Sequence, residues 1–237
     1  MTADTDQDQP RKRINKGRLI GRLVAVPVFF AVFMFVPAGT WTWMKGWLLL
    51  GVFFGTIAVV YLYLWRVNPE VVVARTSSYK SSKRWDRILL ALLRPALFAI
   101  LPVAALDDGR FHWFAVPWWV CVLGYVLFLA GMGIVTWAVA VNKFFEPVVR
   151  IQTERGHKVI DTGPYAIVRH PGYVAFIPVA VGIALCLGSV WALIPAGLAS
   201  SLLILRTRWE DQTLQAELPG YKEYTQRVRY KLVPGVW

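Results

Sequence analysis

Arg169 and His170 stand just before Pro171, at the mouth of an apolar segment, in the run Gly163-Pro164-Tyr165-Ala166-Ile167-Val168-Arg169-His170-Pro171-Gly172-Tyr173. Ionisable side chains at a membrane boundary are costly and mark candidate functional sites. Pro171 sets a helix start, where proline is favoured, and the backbone N–H groups there suit an anion such as a ligand carboxylate. The competing reading makes Arg169 a snorkelling cation on lipid phosphate and His170 a helix cap. A second polar group follows the last apolar segment: Arg206-Thr207-Arg208-Trp209-Glu210-Asp211, then Leu214, Gly220-Tyr221 and Tyr224. Arg206 and Glu210 are four apart and share a helix face, so an exposed ion pair of little worth is one expectation. With two adjacent acids, one must face away from Arg206. A carboxylate in a pocket at headgroup level would attract a cation or bind sugar hydroxyls. A third piece is Asn142-Lys143-Phe144-Phe145-Glu146 and the alternating stretch 148–159. Gly182 and Gly188 fit either close helix packing or close approach of backbone to a ligand.

The elements that must position these groups are apolar helices. Of 237 residues, 57% are hydrophobic and 17% charged, a balance that excludes an ordinary soluble domain and reads as one integral membrane domain. Apolar segments fall at 19–36, 46–65, 88–106, 114–141, 173–188 and 190–205. The first four are long enough to span a bilayer, the fourth with length to spare. The last two, separated by Gly188-Ser189, read as a tight helical hairpin. Pro27, Pro95, Pro102, Pro178 and Pro195 are expected to kink their helices. The piece carrying Arg206 and Glu210 continues the sixth segment as helix. The expected fold is all-α: a polytopic bundle of about six transmembrane helices with a cytoplasmic C-terminal helix. Residues 1–17 read as a disordered cytoplasmic tail, 18–136 as N-terminal spans with a basic loop, and 137–237 as the core that carries the chemistry. The first apolar run lacks a cleavage site and reads as a retained span. Cys121 and Cys186 lie in apolar segments and read as buried free thiols.

Basic residues set the orientation. Of 26 Lys and Arg, 24 fall on alternate connections, leaving only Lys45 and Arg110 on the other side. Six spans with both termini cytoplasmic satisfy this pattern, in a membrane such as the bacterial inner membrane. The net charge of +12 then reports attraction to anionic lipid, not nucleic acid. The basic connection 66–87 reads as a loop resting on headgroups, and Trp41, Trp43, Trp47, Trp113, Trp118 and Trp119 as interfacial anchors. The 142–172 segment and the 206–237 tail come to one face. Together they describe a cytoplasm-facing pocket with an anion site, a carboxylate site and an apolar wall open to lipid. A zwitterionic or cationic cofactor and a lipophilic acceptor would suit it. No Gly-rich phosphate loop, no His/Cys metal pattern and no Ser/His/Asp set is present.

The order Asn142…Gly163-Pro164-Tyr165…Arg169-His170-Pro171-x-Tyr173…Gly182…Gly188-Ser189-x-Trp191-Ala192-Leu193…Arg206…Glu210-Asp211-x-x-Leu214…Gly220-Tyr221-x-x-Tyr224…Val228…Pro234-Gly235 closely resembles the isoprenylcysteine carboxyl methyltransferase family. That family stands with the integral-membrane phospholipid N-methyltransferases, and the resemblance covers residues 137–237. It implies an enzyme that uses S-adenosyl-L-methionine, with no metal, on a lipophilic or lipid acceptor entering from the bilayer. Carried over, Tyr165, Arg169, His170, Pro171, Tyr173, Gly182, Glu210, Asp211 and Leu214 would bind the cofactor. Arg206 would orient an acceptor carboxylate or fix Glu210. With Glu210 and His170 it forms the expected catalytic set. The family usually shows two glutamates where this chain has Glu210-Asp211. A carboxylate acceptor needs no general base, whereas an amine would, and His170 is the candidate for that. A steroid-reductase-type membrane enzyme using NADPH, or a non-enzymatic protein on the same scaffold, are the alternatives.

Overall fold

The computed structural model describes residues 16–76 and 82–237, and every regular element among them is helical. In chain order these are α1 (Lys16–Ala38), α2 (Met44–Val67), α3 (Pro69–Thr76), α4 (Arg84–Ala104), α5 (Trp118–Val141), α6 (Pro171–Cys186), α7 (Leu193–Glu217) and α8 (Tyr221–Arg227). α4 runs on into a π-helical stretch, Ala105–Phe111, and single 3-10 turns form at Thr153–Arg155 and Gly163–Ala166. An all-helical bundle is what the apolar runs require, because only helices satisfy their own backbone groups out of water. The expected tail lies outside the described residues except for its last two positions.

Six long helices form where six apolar segments predict them, but with unequal apolar length. By length and composition, α2, Arg84–Phe111 and α5 can each cross a bilayer, while Ala25–Ala38 and α6 are shorter apolar helices. α6 has 16 residues, about 24 Å at 1.5 Å per residue. In α7 the apolar stretch is followed by a polar one, and the helix continues through Arg206 and Glu210 as predicted. α5 stops at Val141 and does not extend further. Pro195 sits in the first turn of α7, where its missing N–H costs nothing, so it kinks no helix.

α5 and α6 form the tightest helix pair. A Cβ on Gly182 would meet the Phe128 backbone nitrogen at 2.7 Å, and one on Gly124 would meet the Cys186 nitrogen at 2.4 Å. The two backbones therefore nearly touch, as small residues permit between membrane helices. Phe35, Leu49, Ile100, Phe128, Ala180 and Ala196 pack into the shared core. Val59 and Leu62 on α2 and Trp118 on α5 point outward and are exposed, as lipid-facing positions should be.

Two expectations at the end opposite the polar loops change. Gly188 is in the α6–α7 turn rather than a span, with φ of 69°. Trp43 is buried, not an interfacial anchor, and its indole nitrogen donates to Asp108 Oδ2 at 2.8 Å. Trp41, Trp47, Trp113, Trp118 and Trp119 are exposed. Cys121 and Cys186 are both free; Cys186 is buried as expected, whereas Cys121 is only half-buried.

Candidate functional site

Gly163-Pro164 breaks the chain into a 3-10 turn, and Pro171 then opens α6 as its first residue. Arg169 and His170 are thereby buried at the junction. Their backbone N–H groups do not face a ligand. They donate to Tyr230 O at 2.9 Å and Lys231 O at 3.0 Å, which ties the segment after α8 onto the start of α6. The Arg169 guanidinium is also fully engaged. Nε and Nη2 grip Asp211 at 2.8 and 3.1 Å, and Nη1 donates to Val228 O and Arg229 O at 2.8 and 2.7 Å. The snorkelling arginine expected here does not form. The His170 side chain does not cap the helix; its Nε2 lies 3.3 Å from Asp211 Oδ1 and 3.4 Å from the Tyr221 hydroxyl.

Successive helical residues point about 100° apart at 3.6 residues per turn, so Glu210 and Asp211 diverge. Asp211 turns inward and is buried. Besides Arg169 and His170 it accepts hydrogen bonds from Tyr221 at 3.2 Å and Gln215 at 2.8 Å. Burial alone would raise its pKa, but the hydrogen bonds from His170 and Arg169 hold it well below the usual carboxylate range. A buried carboxylate so satisfied is a structural hub. Burial, with the Asp211 and Glu210 charges, pushes the Tyr221 hydroxyl far above its usual range.

Glu210 takes the other direction. One of its oxygens accepts a short hydrogen bond from the Tyr173 hydroxyl. The other has no partner among the described residues. The i,i+4 ion pair with Arg206 does not form. Arg206 is buried and donates from Nε to Asp86 Oδ1 at 2.8 Å and from Nη2 to Pro147 O at 2.9 Å. Its guanidinium lies 5.3 Å from the centre of the Tyr173 ring.

These side chains border one cavity of about 260 Å³. Leu93 and Leu97 of α4, Phe176 of α6 and Leu203 of α7 make an apolar end. Tyr165, His170, Tyr173, Glu210, Leu214, Tyr221 and Tyr224 make the polar end. The segment 144–160 covers it. Asn142 starts that cover, donating to the Tyr165 hydroxyl at 3.0 Å and accepting from the Phe144 N–H at 2.9 Å. Gln152 is buried and ties back to Phe144 O at 2.7 Å. Beside it, His157 packs on the Phe144 ring at 4.6 Å. Burial, helped by Arg150 and Arg155, lowers the His157 pKa to about 4, so the imidazole is neutral at pH 7.

Of the residues predicted from sequence, Tyr165, Arg169, His170, Tyr173, Arg206, Glu210 and Leu214 line the cavity. Three do not. Pro171 is buried behind it as a helix starter, Asp211 serves the hub, and Gly182 is consumed by the α5 contact. The cover 144–160 was singled out as a stretch but given no role, and Asp86 was missed. Alternation in 148–159 was a signal for the first. A lone acid in a basic stretch, 120 residues from its arginine, leaves none for the second. Among the described residues, no group of three or more His, Cys, Asp or Glu could hold a metal ion.

Comparison with known proteins finds related sequences over part of the chain. Residues 119–218 match the phospholipid methyltransferase family. Two rice proteins, from Oryza sativa subsp. indica and subsp. japonica, each described as a probable protein-S-isoprenylcysteine O-methyltransferase, are 41% identical over 66 residues. That match takes in 27% of this chain and spans only 35% of each relative's length. Both matches bear out the resemblance drawn from the sequence.

Proposed function

We propose that this chain is a membrane methyltransferase that uses S-adenosyl-L-methionine to methylate a lipophilic acceptor. The observation that carries this reading is a single cavity with Glu210 at its polar end and α4, α6 and α7 leucine and phenylalanine side chains at the other. The residues fit such a cofactor. Among the described residues, Glu210 keeps a carboxylate oxygen without a partner, matched to a cationic group. When bound, S-adenosylmethionine supplies an electrophilic methyl group.

The chain's part is to bind, orient and exclude water, since an in-line displacement needs alignment more than a covalent catalyst. Glu210, held by Tyr173, fixes the cofactor's positive end. The cover 144–160 shuts the polar end from water. The apolar end receives the acceptor's hydrocarbon. Arg206 is already paired with Asp86, which makes it a support for Tyr173 rather than a free cation for an acceptor carboxylate. His170 is held by Asp211 and Tyr221, which makes it a polar-end support rather than a mobile base.

Calorimetric titration of the purified protein with S-adenosylhomocysteine and, separately, NADPH tests the reading. Binding of the first alone is expected; binding of NADPH alone would replace it with the reductase reading. Labelled S-adenosylmethionine supplied to membranes then shows whether the methyl group enters lipid or protein.

A further inference from the structure

Asp86 lies outside the family-matched segment and outside every motif above, yet it is fully buried at the edge of the site. It occupies the first turn of α4, where the helix N-terminus favours a carboxylate. Its two oxygens serve two different elements. Oδ1 accepts from Arg206 Nε at 2.8 Å, and Oδ2 accepts from the Val149 N–H at 2.8 Å. The cover is gripped twice more nearby: Pro147 O accepts from Arg206 at 2.9 Å, and Val149 O accepts from the Lys83 N–H at 3.4 Å.

Arg206 and Glu210 lie four apart on α7, the spacing at which an arginine and a glutamate pair by default. A buried guanidinium cannot stay without a partner. Without Asp86, the carboxylate nearest along its own helix is Glu210. An Arg206–Glu210 pair would spend the cavity-lining Glu210 oxygen that has no partner among the described residues. We infer that Asp86 is a positioning residue: it holds Arg206 away from Glu210, leaving Glu210 for a cationic ligand, and pins the cover at Val149. This rests on the methyltransferase reading for the identity of the ligand, not for the geometry.

Three variants of the full chain test it: Asp86→Asn, Asp86→Asn/Arg206→Met and Asp86→Ala. S-adenosylmethionine is the probe. Asp86→Asn should weaken its binding by about tenfold, the scale of one charge-assisted interaction. Removing the competing cation in the double variant should restore part of that loss, short of the wild type because Tyr173 and Pro147 lose their Arg206 contacts. A general loosening of the fold would be made worse by the second substitution, not repaired. Wild-type affinity in Asp86→Asn, or a double variant no better than the single, overturns the inference. Hydrogen exchange without ligand is the second readout. In Asp86→Ala the cover around Val149 should exchange faster while the α5–α6 pair keeps its protection. Unchanged exchange there overturns the pinning role. If Asp86→Ala does not fold, Asp86→Asn is read the same way. Should the wild-type protein bind no S-adenosylmethionine, the functional reading falls, and exchange alone decides on Asp86.

Discussion

Glu210 and Asp211 are neighbours in sequence with opposite environments. Asp211 is buried under donors from Arg169, His170, Tyr221 and Gln215. Glu210 is partly exposed to the cavity with one oxygen committed to Tyr173. Their substitutions should therefore separate. Glu210→Ala is expected to weaken S-adenosylhomocysteine binding by about tenfold or more while the melting temperature barely moves. Asp211→Asn is expected to cost about 3 kcal/mol or more of stability, because it leaves a buried Arg169 short of its counter-charge. Calorimetry and thermal melts on the two variants check both. A stable, non-binding Asp211→Asn protein would show that Asp211 touches the ligand after all.

At the scale of elements, the α5–α6 contact and the cover behave differently. Gly182→Leu drives a side chain into the Phe128 backbone, and overpacking of this kind typically costs about 1–3 kcal/mol. The melting temperature should fall while the folded fraction keeps its cofactor affinity. A lost affinity at unchanged stability would return Gly182 to the binding site. The cover carries a pH dependence of stated sign. His157 has a folded-state pKa of about 4, below its ordinary 6.5, so a lifted or unfolded cover takes up the proton first. The contribution is fully present above about 6.5 and is lost as pH falls from 6.5 toward 4. Hydrogen exchange of 144–160 should speed up over that window in the native chain. The dependence should be absent in His157→Phe.

For the whole molecule, the alternation of basic loops predicts that the site-bearing end faces the cytoplasm. The structure puts 142–172 and the polar half of α7 at one end of the bundle, and the turn of Gly188, Lys45 and Asp108 at the other. A green fluorescent protein fused after Trp237 and expressed in bacteria should fluoresce. An alkaline phosphatase fusion at the same place should be inactive. The reverse result would invert the molecule and place the cavity-bearing end outside.

Hydrophobic runs alone were enough to predict the helices, because a backbone in lipid has no other way to satisfy itself. The family resemblance, more than local spacing, marked seven of the residues that line the cavity. Partner choice was not legible. The i,i+4 rule pointed Arg206 to Glu210, and a place at the membrane boundary pointed Arg169 to lipid phosphate. Instead Asp86 reaches Arg206 from another helix, and Asp211 takes Arg169. Only the tertiary fold decided these pairings, because a buried charge accepts whichever opposite charge the packing brings to it, at any distance along the chain. In the same way, the close approach of α5 to α6 decided that Gly182 packs helices rather than lining the pocket.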